Sequence, residues 1–376
     1  MGELYIGLMS GTSLDGTDGV LVDFDGSATS ALRVLGHAHQ PFDAALADEL
    51  LALNAPGGNE IHRAALASNA VARAYAVVIN ELLDVSHLSR GLIRAVGAHG
   101  QTVRHRPREF DGTGYTVQLL NAPLLAELGG IDVVADFRNR DVAAGGQGAP
   151  LVPAFHRAVF GTPGSSCAVL NLGGMSNLTS LHADGSTTGF DCGPGNALMD
   201  HWCFKHTGRR FDNTGAWAAS GVVIGTLLQA MASDPYFELP PPKSTGRDAF
   251  NPEWLAKHLA ALDAPEPLRP QDVQATLTEL TAVICSDGVK RQASRARELL
   301  VCGGGAFNLH LMQRLAMHLP GVRVMLTSER GLPPSQVEAT AFAWLARAHC
   351  RRESGNLPAV TGAAGPRVLG ALYPAG

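Results

Sequence analysis

The 376-residue sequence contains no run of 18 apolar residues, so no transmembrane helix is expected. Its N-terminus lacks a basic stretch followed by an apolar one, which speaks against a signal peptide. No G-x-x-x-x-G-K-[ST] is present and no G-x-G-x-x-G follows a strand, so neither a P-loop enzyme nor a dinucleotide-binding domain is indicated. A G-x-S-x-G elbow and an H-E-x-x-H helix are missing too. The six cysteines (Cys167, Cys192, Cys203, Cys285, Cys302, Cys350) form no C-x-x-C pair and no zinc spacing. Most lie in apolar runs and read as buried free thiols of a reducing compartment, so the cytoplasm is the expected location. Charged residues are only 17% of the chain, and a net charge of −5 gives no reason to expect nucleic acid or a membrane surface as partner.

What is present describes an ordinary globular chain, 45% hydrophobic and too long for one core, so two domains are expected. The 43 glycines cluster at strand ends rather than in a repeat. Residues 4–23, LYIGLMSGTSLDGTDGVLVD, read as a strand, a polar glycine turn and a second strand. Glycine lets backbone N–H groups approach a ligand, and successive N–H groups in a tight turn form an anion-binding concavity. Asp15 and Asp18 would repel a bare phosphate but suit one that travels with a metal ion. The same residues also suit an ordinary surface hairpin.

Further along, residues 31–40 read as a strand, 44–53 and 60–83 as helices, and 92–99 as a strand ending in HGQT. Strand, helices, strand implies a crossover and a partly parallel sheet, and ligands of such sheets bind beyond the carboxyl ends of the strands. His99, Gln101, Thr102 and Arg104 sit there, although a lone histidine is commonly just a satisfied loop residue. Strands follow at 115–120 and 131–135, with a short helix at 123–128, and 142–150 reads as loop. Arg138 and Arg140 flank it and could hold a carboxylate or phosphate, or form surface ion pairs. Residues 167–181 repeat the opening theme, with Gly173-Gly174 between two strands. Two such hairpins about 160 residues apart suggest two related domains. In TGFDCGPGNALMD (188–200), Asp191 precedes a helix that Asn196 can cap, a good place for a general base, though a plain turn aspartate fits as well. Helices are expected at 216–231, 270–293 (amphipathic, opened by Asp272), 309–318 (started by Asn308) and 331–348, where Ser335 and Glu338 fit a capping box. Residues 240–251, PPPKSTGRDAFN, are a stiff lid or a linker. LLVCGGGAFN (299–308) runs a strand into a triple glycine that suits either a flat ring against the backbone or a tight strand–helix turn. Strands are expected at 322–327 and 368–373.

MSGTSLDGTD (9–18), HGQT (99–102), DFRNRDVAAGGQGAPLVPAFH (136–156), NLGGMSN (171–177), FDCGPGNALMD (190–200), PKSTGR (242–247) and VCGGGAFN (301–308) occur together in one order. In these motifs, nearly end to end, the chain resembles the anhydro-N-acetylmuramic acid kinases of the sugar kinase/heat-shock protein 70/actin superfamily. The resemblance implies a two-domain α/β actin-like ATPase (ribonuclease H-like) fold with a central interdomain cleft. The first domain would span 1–135 plus about 346–376, the second 136–345. ATP would be held by Gly11, Thr12, Ser13, Leu14, Asp15, Gly16, Thr17 and Asp18, by Asn171, Gly173 and Gly174, and by Gly303, Gly304, Gly305 and Asn308. Mg²⁺ would be taken by Asp15. The implied activity is ring opening of a 1,6-anhydro sugar with phosphorylation of O6, in cell-wall recycling. The water-activating aspartate falls on Asp191, and the substrate contacts on His99, Gln101, Arg138, Arg140 and Glu338. Where relatives carry three arginines in a row, this chain has Asn139 in the middle, so the sugar's lactyl carboxylate falls to Arg138 or Arg140. The expected partners are the amino sugar and ATP, with a homodimer left open. A plain sugar kinase and a nucleotide-sensing module are the alternatives.

Overall fold

The computed structural model describes residues 2–11, 13–24, 32–247, 249–262 and 268–376. Thr12 and the first residue of the strand expected at 31–40 therefore lie outside the described residues. The chain divides into two units, one of Met1–Phe160 with Gln336–Gly376 and one of Gly161–Ser335.

The first unit is built on β1 (Glu3–Met9), β2 (Gly16–Phe24), β3 (Leu32–Pro41), β4 (Ile93–Ala98) and β7 (Val133–Ala135), while β5 (Gln101–Pro107) and β6 (Gly114–Leu119) form a separate hairpin. The main sheet runs β3-β2-β1-β4-β7, with the terminal strand Ala371–Tyr373 beyond β7. β1, β2 and β3 are antiparallel; β4 and β7 join in parallel. β1 alternates between two cores, as period-2 geometry requires. Leu4, Ile6 and Leu8 face Val71, Tyr75, Ile79 and Leu82 of the helix Glu60–Ser86, while Tyr5 joins the other core with Phe342 and Leu345. That second core rests on the helix Val337–Cys350. The helix lies directly on the strands because Gly7 and Gly97, paired across β1 and β4, have no side chains. A Cβ at Gly7 would stand 1.9 Å from the Ala339 carbonyl oxygen, and one at Gly97 2.0 Å from that of Phe342.

The second unit repeats the plan with β8 (Cys167–Leu172), β9 (Met175–Leu181), β10 (Thr187–Pro194), β11 (Glu298–Cys302) and β12 (Arg323–Leu326), ordered β10-β9-β8-β11-β12. Again the first three strands are antiparallel and the last two parallel. The 3-2-1-4-5 order in each unit is that of the ribonuclease H-like fold, so the expected α/β class and the relatedness of the two halves hold at the level of topology.

Several expectations need correction. The boundaries fall at 160/161 and 335/336, not 135/136 and 345/346. Residues 136–160 belong to the first unit because Asp141 accepts hydrogen bonds from Asn356 Nδ2 (2.6 Å), Thr361 Oγ1 (2.8 Å) and the Gly148 amide (2.8 Å), and because Phe155 packs on Trp344. Part of the expected loop at 142–150 is instead the end of the helix Asn139–Ala143. The helix expected at 216–231 is two, Ala216–Ala219 and Gly225–Ala232. It breaks because Asp272 and Thr276 capture the amides of Val222 and Ile224. The helix Pro270–Gln292 is not amphipathic but buried along most of its length. The helix expected from 331 begins at Val337, with Gln336 as its N-cap instead of Ser335. All six cysteines are free, and all but the half-buried Cys350 are buried, as expected. Among the described residues no helix is long and apolar enough to cross a membrane.

Candidate functional site

In the first unit the sequence-predicted residues gather at the carboxyl ends of β1, β4 and β7. The His99 amide donates to the Leu8 carbonyl at 3.0 Å, which carries the ladder one residue past β4. Ser10 Oγ donates to the Gly100 carbonyl (3.2 Å) and shares a hydrogen bond with the buried Tyr75 hydroxyl (2.9 Å). Gln101 Nε2 donates to the Gly11 carbonyl at 3.1 Å, tying the glycine turn to the end of β4. Arg138, just past β7, donates from Nε to His99 Nε2 (3.0 Å) and from Nη1 to the Gly148 carbonyl (2.8 Å). With Nε2 accepting, the neutral ring carries its proton on Nδ1. Burial, and after it the Arg138 guanidinium, holds this imidazole well below its ordinary pKa. His99 Nδ1 and Gln101 Oε1 are buried without a hydrogen bond. Phe342 lies 4.7 Å from the His99 ring, centroid to centroid, and Glu338 sits one turn earlier on the same helix. Arg140 is not part of this group: it is exposed and makes no hydrogen bond or ion pair among the described residues.

The turn itself spans residues 10–15, because β2 already begins at Gly16. Leu14 takes a positive φ of 58° and its amide donates to the Gly11 carbonyl, while Ser13 Oγ donates to Asp15 Oδ1 at 2.6 Å. Thr17 points into the core, fully buried, and Asp18 faces His37 (3.3 Å) and His39 (3.0 Å) of β3. Among the described residues no three histidine, cysteine or acidic side chains converge as a metal site. Mg²⁺ in phosphoryl-transfer sites takes one or two carboxylates and the phosphates themselves, and the exposed Asp15 fits that donor set.

In the second unit the turns at the ends of β8 and β11 are knitted to the start of the helix Ala197–Thr207. The amides of Gly195 and Asn196 donate to the carbonyls of Gly174 (3.0 Å) and Gly173 (2.8 Å). Asn196 is the N-cap residue as expected, but its amide side chain donates to the Leu172 carbonyl (3.0 Å) rather than capping its own helix. Asn171 is buried beside Gly303, whose φ is +79°; a Cβ there would stand 2.4 Å from Asn171 Oδ1. One at Gly305 would meet Leu172 Cβ at 2.6 Å, whereas one at Gly304 finds nothing nearer than 3.6 Å. Packing therefore demands glycine at 303 and 305, and the strand–helix turn accounts for both. Gly304 alone is exposed. Asn308 caps the helix Leu309–His318 as expected, with Oδ1 accepting from the Leu311 amide at 3.0 Å.

Asp191 lies on β10, an edge strand, and is 7% exposed. The register of β10 against β9 shifts between Asp191 and Gly193, the kind of irregularity that re-aims a side chain. Its amide donates to the Lys243 carbonyl (3.1 Å), its carbonyl accepts from the Tyr236 hydroxyl (2.7 Å), and its Oδ2 accepts from the Thr245 amide (3.0 Å). The PKSTGR segment is thus laid against Asp191. Tyr236 carried no signal in the sequence; Lys243 and Thr245 lay in a recognisable motif whose target was not legible.

The chain matches the anhydro-N-acetylmuramic acid kinase family over residues 3–375. It is 62% identical over 380 residues to the anhydro-N-acetylmuramic acid kinase of Variovorax paradoxus (strain S110), covering 100% of each chain. It is 56% identical to that of Cupriavidus metallidurans (strain ATCC 43123 / DSM 2839 / NBRC 102507 / CH34), covering 99% of this chain and 98% of the relative. Among solved structures, the activator of the 2-hydroxyisocaproyl-CoA dehydratase from Clostridium difficile with bound ADPNP is 13% identical, with a TM-score of 0.48 over 93% of this chain and 96% of its own. A ROK family glucokinase from Streptomyces griseus in complex with glucose and AMPPNP is 12% identical, with a TM-score of 0.39 over 92% and 99%. On the sequence matches, the chain belongs to the anhydro-N-acetylmuramic acid kinase family and is a sugar kinase.

Proposed function

We propose that this enzyme uses ATP and water to open the 1,6-anhydro ring of anhydro-N-acetylmuramic acid and to phosphorylate the freed O6. The product is N-acetylmuramic acid 6-phosphate, made in the cytoplasm during cell-wall recycling. The observation that carries the reading is Asp191, a residue gripped at its amide, its carbonyl and one carboxylate oxygen. Asp191 takes a proton from water as the water oxygen bonds to C1. The C1–O6 bond breaks, O6 attacks the γ-phosphorus, and ADP leaves. A positioned general base is worth roughly 10²–10⁴-fold in rate. ATP is assigned to the 10–15 turn with Gly16 and Asp18, without Thr17, whose side chain is buried in the core, and to Asn171, Gly173, Gly174, Gly304 and the turn that Gly303, Gly305 and Asn308 build. Asp15 would be the protein ligand of Mg²⁺, whose charge would offset that of the transferred phosphoryl group when bound.

The sugar is assigned to His99, Gln101, Arg138 and Glu338. A buried polar atom without a partner costs about 1–3 kcal/mol, so hydroxyl or amide groups of a ligand would relieve His99 Nδ1 and Gln101 Oε1. Arg138, beside His99, is the better candidate for the lactyl carboxylate; Arg140 stands apart. The test is turnover in ¹⁸O-labelled water followed by mass analysis of the product. One solvent oxygen is expected at C1. A phosphorylated product without the label would mean a plain kinase acting on a free hydroxyl, and would overturn the ring-opening reading.

A further inference from the structure

Lys243 is 8% exposed, an unusual burial for an ammonium group. Its Nζ donates to the carbonyls of Tyr236 (2.9 Å) and Phe237 (3.3 Å), at the C-terminal end of the short helix Pro235–Glu238. The Tyr236 carbonyl also accepts the Leu239 amide (3.2 Å), so the ammonium is its second donor, and the partial negative charge of helix-end carbonyls favours a cation. The same Nζ lies 4.5 Å from the Tyr236 ring centroid and 5.6 Å from that of Phe190. Burial holds the ammonium below its ordinary pKa. The residues that this ammonium ties together are the ones that touch Asp191. Tyr236, whose carbonyl it holds, donates its hydroxyl to the Asp191 carbonyl. The carbonyl of Lys243 itself receives the Asp191 amide, and two residues on the Thr245 amide reaches Asp191 Oδ2.

We propose that Lys243 is a positioning residue: it locks the 243–245 segment to the helix Pro235–Glu238, so that Tyr236 and Thr245 hold Asp191 in the orientation its reaction needs. The proposal rests on Asp191 as the base. Removing the ammonium leaves the base in place but loosens it, and misplacement of about 1 Å can cost on the order of 10² in rate. Lys243 also lines a cavity of about 270 Å³ walled by Phe190, Phe237 and Ile284, which leaves room for a replacement cation.

The experiment is steady-state kinetics of Lys243→Ala and Lys243→Arg with ATP and anhydro-N-acetylmuramic acid, with and without added ethylammonium. Lys243→Ala should lower kcat by about 10²-fold while the KM for ATP stays within a few-fold. Ethylammonium should restore part of the lost kcat. Tetramethylammonium, which carries the charge but no N–H, should not. Lys243→Arg, which keeps donors and charge, should recover most of the activity and serves if the alanine variant does not fold. An unchanged kcat in Lys243→Ala would overturn the proposal. So would a lost kcat that neither arginine nor ethylammonium recovers. Asp191→Asn in the same assay separates the two readings. If it is inactive with or without the amine, the base stands whatever Lys243 does; if it turns over normally, the base assignment itself fails.

Discussion

In both units the first hairpin of the sheet turns at the carboxyl end of the parallel strands, yet the two turns are built in opposite ways. The β8–β9 turn is two glycines long, and its carbonyls are held by amides at the start of the following helix. The β1–β2 turn is six residues long and partly exposed, and it is tied down chiefly by side chains: Ser10 bonds Tyr75 and the Gly100 carbonyl, Gln101 bonds the Gly11 carbonyl, and one amide, that of Phe42, reaches the Asp15 carbonyl. The contrast extends to the neighbouring side chains. Around Asp191 the backbone and the carboxylate are engaged, whereas around the first turn His99 Nδ1 and Gln101 Oε1 lack partners. One topological position thus serves as a fixed frame in the second unit and as an adaptable one in the first. A frame already in place suits the reacting groups, and unmet hydrogen bonds suit a ligand that supplies them.

The largest effect should come from the fixed side. Asp191→Asn keeps an acceptor for the Thr245 amide but removes the base, so kcat should fall by about 10²–10⁴-fold with ATP affinity, measured by calorimetry, unchanged. A variant with near-normal kcat would erase the contrast. On the adaptable side, Arg138→Ala should raise the KM for the sugar by about 10–100-fold, the loss of a hydrogen bond to a charged group being worth about 1.5–3 kcal/mol. Arg140→Ala should change it by no more than a few-fold. If the two arginines exchange these effects, the assignment of the carboxylate is reversed.

The triple glycine tests the fixed frame from within. Gly303→Ala forces a side chain onto a φ of +79° and against Asn171, which should lower the melting temperature through a loss of about 1–3 kcal/mol. Gly304→Ala meets no such obstacle, so it should leave the melting temperature alone and raise the KM for ATP. Equal destabilisation by both would mean that Gly304 too is structural.

The strand–glycine–strand hairpins were legible because short apolar runs and turn residues are local signals, and their repetition pointed to two related halves. The domain boundary was not, because it depends on Asp141 reaching Asn356 and Thr361, partners more than 200 residues away. The break in the helix expected at 216–231 was hidden for the same reason: its apolar spacing is helical, but Asp272 and Thr276 take its amides. At the site, the motifs carried Asp191, His99 and Gln101, each with an innocent alternative that only geometry could weigh. Tyr236 reaches Asp191 through the tertiary fold, with no sequence pattern to announce it.

The smallest effect concerns stability, and it should arise in the first unit. Two of its histidines, His99 and His156, are buried and a third, His105, is half-buried, and all three are held neutral. Burial acts on all of them, with Arg138 adding to the effect at His99 and His105; His105 is lowered to about 4 and His156 to about 3. In the unfolded chain each titrates near 6.5. Above that pH both states are neutral and this contribution is fully present. As pH falls below 6.5 the unfolded chain binds protons that the folded one refuses, so stability drains away at about 1.4 kcal/mol per pH unit for each histidine, until the folded groups titrate in turn. Denaturant midpoints should therefore drop between pH 6.5 and 5.5, before most carboxylates protonate. His156→Leu removes one titrating group among the rings of Phe155 and Phe160, so its midpoint should fall less steeply over the same interval, whatever its absolute value. Parallel slopes for the two proteins would show that His156 takes no part.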